Sequence, residues 1–166
     1  MVLGMSLSAY TQLHVIICLL AIASGIVVLL GMLAAKRMDA LTGFFLVTTV
    51  LSSVTGFLFP WKGVTPGIVI GIISMVVLIV AIYARYGAHL GGFWRGTYVI
   101  TAAIALYLNC FILIVQSFEK VPALHALAPT QTEGPFKAAQ GALLLLFVIA
   151  TIFAVKKFRP ASVYAS

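Results

Sequence analysis

Acidic residues are scarce in this chain. Its 166 residues include only three, Asp39, Glu119 and Glu133. Only two cysteines occur, Cys18 and Cys110, without CxxC spacing, so neither a disulfide scaffold nor a cysteine metal motif is present. The short motifs of catalysis are missing too: there is no P-loop, HExxH, GxSxG or CxxCH. Charged residues make up 8% and hydrophobic residues 63% of the chain, against roughly 25% and 45–50% in a soluble domain. These deficits exclude a disordered chain, a coiled coil and an ordinary soluble enzyme.

What is present is long apolar runs. Five windows of 18 to 23 residues carry no Asp, Glu, Lys or Arg: Leu13–Ala35, Leu41–Phe59, Gly67–Ala84, Gly96–Phe118 and Ala138–Val155. A bilayer core about 30 Å thick needs about 20 such residues at 1.5 Å each. Backbone groups in lipid must bond within their own segment, so each window is expected to be a helix. The expectation is an all-α integral membrane bundle, a single transmembrane domain over residues 1–166. Its five spans fall near 13–35, 41–59, 67–86, 94–118 and 136–157, with a loop over 119–135. The first span follows no basic residue and exceeds the 7–15 residues of a signal core, so it is expected to stay in the mature chain.

The cations orient the bundle. With five spans, Lys62, Lys120 and Lys137 share one side, and Lys36, Arg37, Arg85, Arg95, Lys156, Lys157 and Arg159 the other. Short cytoplasmic loops collect Lys and Arg, so the N-terminus is expected outside and the C-terminus in the cytoplasm. The net charge of +7 is then a topology signal and a contact to anionic lipid. No nucleic-acid motif accompanies it. Aromatics near the span ends (Tyr10, Phe57, Phe59 and Trp61 outside; Tyr83, Tyr86, Phe93, Trp94 and Tyr98 inside) read as interfacial anchors.

Small and hydroxyl residues mark packing faces. Thr48, Ser52 and Thr55 share a face of the second span, and Gly67-x-x-x-Gly71 opens the third. Both fit close helix contact in a bundle or a homo-oligomer. Polar side chains at membrane depth call for partners. His14 and Cys18 stand four apart, and Ala21 and Gly25 continue their face inward. Asn109 and Gln116 share a face of the fourth span, and Gln140 lies a turn below Pro135. His14, Gln116 and Gln140 are expected at similar depth near the outer surface, below Glu119, His125 and Glu133 of the longest loop.

Two readings of that cluster follow. It is either an outward pocket for a small, lipid-like or quinone-like ligand, or a hydrogen-bonded knot that holds the bundle. A haem-bearing redox subunit would need a second His at the depth of His14, and His89 and His125 lie elsewhere in the chain. A metal site from His14, His125, Glu119 and Glu133 has no standard spacing. No catalytic residue, metal set or particular cofactor follows from the residues. Thr132, Glu133 and Pro135 suit a helix start.

The stretch LHVIICLLAIASGIVVLLGMLAAKRMDALTGFF has a His at a helix start, Gly25, Gly31 and a basic turn before Gly43. It resembles the first two helices of an uncharacterised bacterial family of small polytopic membrane proteins. In that family a His-rich basic turn precedes the second helix; here the turn is KRMDALTG. The resemblance implies a helical protein of the bacterial inner membrane and brings no activity or site residue. The functions that remain are ligand binding or transport, a redox or quinone-linked subunit, and an accessory subunit of a membrane complex.

Overall fold

A computed structural model of the chain describes residues 2–60 and 63–159. Trp61 and Lys62, the outer aromatic and the outer cation of the second connection, lie outside the described residues. Among the described residues every named element is helical. Five helices are long and apolar enough to cross a membrane.

Helix α1, Leu7–Leu33, starts where the Ser6 hydroxyl accepts from the Ala9 N–H at 3.2 Å, a side-chain cap for an orphan donor. The helix begins six residues before the uncharged window, because Thr11 and Gln12 ride on it without breaking it. It closes in a Schellman motif: Lys36 N–H bonds Gly31 O at 2.8 Å and Ala35 N–H bonds Met32 O at 3.1 Å. Ala35 holds the left-handed position at φ 56°, where glycine is the usual residue.

Helix α2 spans Asp39–Phe57 and helix α3 Pro66–Ile82. Thr65 caps α3 and Pro66 supplies a preset first position. Beyond Ile82 the chain runs on through a wide π turn, Tyr83–Gly87. The third span therefore passes Ala84, where the uncharged window stops, and carries Arg85 with it. Helix α4, Trp94–Lys120, leads into the short α5, Pro122–Leu127, inside the segment expected to be a loop. Helix α6 covers Gly134–Lys157.

Helix α4 is the hub and packs against α1, α2, α3 and α6; α1 packs most extensively on α2. Small residues allow the close approach. Gly25 faces Leu106 and Phe45, and Gly71 faces the Phe57 ring, where an added Cβ would stand 2.8 Å from Cε1. Gly67 is exposed. Thr48 is buried, with its hydroxyl turned back onto Phe44 O at 2.8 Å.

Polarity is arranged inside out. Ser24, Thr42, Thr48, Thr49, Ser52, Ser53 and Ser74 are buried, while Ile79, Leu145 and Leu146 are 61–63% exposed. A soluble bundle does the reverse. Two aromatics assigned to the interface are instead fully buried, Tyr10 and Tyr98. Tyr10 tolerates this because its hydroxyl finds an acceptor inside. Tyr83, Tyr86 and Phe93 remain exposed.

Candidate functional site

The expected face of α1 turns toward α2. Tyr10, His14 and Cys18 follow each other at four-residue spacing, one above the next along a helix. Tyr10 donates to Thr55 O at 2.7 Å. The Thr55 hydroxyl donates its one proton back to Leu51 O at 2.7 Å, the usual habit of a mid-helix threonine. With that proton on Leu51 O, the oxygen is open to accept from His14 Nδ1, which lies 2.7 Å away. In that arrangement neutral His14 carries its proton on Nδ1 and turns the Nε2 lone pair toward Cys18. Nε2 stands 3.5 Å from Cys18 Sγ, and Ser52 Oγ lies 2.9 Å from the same sulfur. Phe59 meets Tyr10 and His14 edge to face, at centroid distances of 5.0 and 5.2 Å. His14 and Cys18 are half-buried, so this polar seam borders the exterior and is not sealed in the core.

The other expected residues lie apart from it. Gln116 is exposed on α4. Gln140 reaches the α4 backbone, donating to Phe111 O at 3.2 Å, and its Oε1 is buried without a partner. Asn109 lies on the α4 stripe with Tyr98, Ala102 and Ala105, and its Nδ2 is also buried and unpartnered. His14 is thus bonded to α2 and Gln140 to α4, because α1 takes α2 as its main neighbour. The sequence placed these residues at one depth; it carried no information on which helices adjoin.

The 119–135 segment is tied down by local bonds. His125 Nδ1 lies 3.3 Å from Phe118 O, and Gln131 donates to Val115 O at 3.0 Å. Glu119 is exposed and pairs with Lys120 at 3.8 Å. Glu133 is the cap residue of α6, yet its carboxylate turns away from the helix. It accepts from the Thr130 hydroxyl at 2.7 Å and from the Thr130 and Thr132 N–H groups at 3.1 and 3.0 Å. The Thr130 hydroxyl chiefly, with these amides, holds the carboxyl below its ordinary pKa. Among the described residues no three His, Cys, Asp or Glu side chains assemble as metal ligands would.

At the opposite end are residues that sequence reasoning treated only as topology charges. Arg85, in the π turn, is 4% exposed. Its Nη2 donates to Asp39 Oδ1, which also accepts from Arg37 Nε at 2.7 Å. The guanidinium carbon lies 5.2 Å from the Tyr98 ring centroid and 5.6 Å from that of Tyr86, a cation–π contact with each. Arg95 donates to Val155 O at 2.8 Å and to Phe158 O, capping the last carbonyls of α6. The signal for Arg85 was present: a single cation embedded in the aromatic run AIYARYG, with Asp39 the lone acid on its side of the chain.

Two apolar spaces complete the picture. A groove of about 320 Å³ between α4 and α6 is lined by residues such as Ile104, Tyr107, Phe147 and Ile152. A void of about 10 Å³ lies among α1, α2 and α4 beside Gly25. No family model, curated protein or solved structure matches the chain.

Proposed function

We propose that the chain is an integral membrane protein of five spans that binds a small, bilayer-dissolved ligand at the α1–α2 seam around His14. The membrane reading is supported by the inside-out polarity of the bundle. Ser and Thr hydroxyls of the spans turn inward, and Leu, Ile and Val cover the outside, as lipid requires. The cations give the orientation: N-terminus outside, C-terminus in the cytoplasm.

The observation that carries the ligand reading is the 2.7 Å contact that ties His14 Nδ1 to Thr55. With Nδ1 donating to Thr55, Nε2 is the acceptor, at a half-buried position beside the Phe59 ring. Such a nitrogen suits an amphiphile whose head bears a hydroxyl, a quinol being the simplest membrane-soluble case. The ligand hydroxyl replaces Cys18 as the neighbour of Nε2, and its tail lies against exposed apolar residues such as Val15 and Leu19. The test is titration of a decyl-tailed quinol into protein in nanodiscs. Saturable binding is expected, with about tenfold loss in His14→Leu and a smaller loss in Thr55→Val, at unchanged helix content. Full binding by His14→Leu removes the reading.

A second reading, an accessory subunit or homo-oligomer, is supported by α6. Only 11% of its apolar window is buried, against 39% for α1, α2 and α4. Native mass spectrometry from gentle detergent tests it: a lone monomer counts against it.

A further inference from the structure

The Arg85 end carries more donors than its acceptor can use. The Nε–H and one Nη2–H of a guanidinium lie parallel on one edge, and a carboxylate or phosphate fits that edge with two oxygens. Arg85 uses only half of it. Nη2 meets Asp39 Oδ1, while Nε is buried with no partner. The same Oδ1 serves Arg37 Nε, so two guanidiniums converge on one carboxylate oxygen. Lys36 adds a second cation beside Arg37 in the connection before α2, against the single acid.

The backbone points the same way. Asp39 is the first residue of α2, and the preceding Met38 offers no side-chain cap. The first-turn N–H groups of a helix have no partner within it, and with the helix dipole they attract an anion. Asp39 supplies part of that charge, and although both arginines hold its Oδ1, its side chain is 62% exposed. A tetrahedral phosphate has enough oxygens to satisfy both donors of the Arg85 edge and Arg37 together, which one carboxylate oxygen does not.

We infer that Arg37 and Arg85, at the start of α2, form a phosphate site for the head group of an anionic lipid, with Asp39 as its displaceable internal stand-in. Arg85 supplies the rigid edge, held by the Tyr86 and Tyr98 rings. Arg37, 40% exposed, closes over the ligand from the water side. The site rests on the five-span reading for its lipid and is independent of the ligand at His14.

The test uses the full chain in phosphatidylcholine nanodiscs with and without phosphatidic acid, followed by native mass spectrometry of retained lipid. Phosphatidic acid is expected to be retained by the wild type. Asp39→Asn, which keeps every donor and removes the competitor, is expected to bind about fivefold tighter. Arg85→Gln is expected to lose at least about tenfold, and Arg85→Lys to recover little, because an ammonium has no edge. Inorganic phosphate alone is titrated in detergent as a second arm. Protection by phosphate alone that Asp39→Asn strengthens assigns the same site to a soluble phosphate; protection only by the lipid assigns it to the head group. Unchanged or weaker retention in Asp39→Asn overturns the inference, whether or not Arg85→Gln folds. So does full retention in a folded Arg85→Gln protein.

Discussion

Gly25 is where α1 meets α2 and α4 at close range, and replacing it with alanine measures how closely the bundle is packed. An alanine Cβ at that position would stand 2.6 Å from Leu106 Cδ1 and 2.7 and 2.9 Å from two carbons of the Phe45 ring. Carbon atoms do not approach so closely, so a neighbour must move. Leu106 and Phe45 are each 1% exposed and have no exterior to move into. The adjacent void of about 10 Å³ holds about one water-sized sphere and absorbs only part of the displacement. Overpacking of this kind costs about 1–3 kcal/mol. Alanine also gains up to about 1 kcal/mol over glycine in any helix, which partly masks the strain. Gly141→Ala supplies the correction, since nothing lies within 4 Å of a Cβ there. The difference between the two variants isolates the contact: Gly25→Ala is expected to be less stable than Gly141→Ala by about 1–3 kcal/mol, or about 5- to 150-fold in the unfolding constant. Equilibrium unfolding in mixed detergent and dodecyl sulfate micelles reads it. Equal stabilities would refute the close approach of α1 to α2 and α4.

Ala35→Gly acts in the opposite direction. Relief of the left-handed backbone at φ 56° should stabilise the protein by about 0.5–1 kcal/mol in the same assay, and a loss would mean that the Schellman turn is wrongly placed. Acidification should loosen the turn at Thr130–Glu133. The Glu133 carboxyl is held below its ordinary value, so its stabilisation is complete above about pH 4.3 and is lost as pH falls through the lower folded-state value. Proteolysis within residues 130–133 should increase only at that low pH, and Glu133→Gln should abolish the dependence.

The helices were legible where one physical requirement decided them. An uncharged run of 18 or more residues has few ways to satisfy its backbone in lipid, and each of the five windows is helical but for the last two residues of the first two. The ends were less legible, because they depend on single partners. Ser6 starts α1 early, and the Arg85–Asp39 pair lets α3 run on into its π turn. Helix α5 arises from PALHAL behind a proline, too short for periodicity to register. The inward face His14–Cys18–Ala21–Gly25 was readable from its four-residue spacing, and Ala21 and Gly25 are buried. Its partners were not, since Thr55 and Ser52 meet it only because α2 adjoins α1. Depth alone grouped Gln116 with His14, yet Gln116 faces the exterior. Arg85 was legible as a charge and hidden as a buried group, because its burial depends on two tyrosine rings that sequence reasoning assigned to the interface.

The five-span, N-outside arrangement underlies both sites, and cysteine labelling tests it most directly. Thr130→Cys and Lys157→Cys are introduced singly and exposed in intact cells to a membrane-impermeant maleimide, with the buried Cys110 and half-buried Cys18 of the parent as baseline. Position 130 should label at once, and position 157 only after the membrane is opened. Labelling of 157 in intact cells, alone or together with 130, would contradict the arrangement.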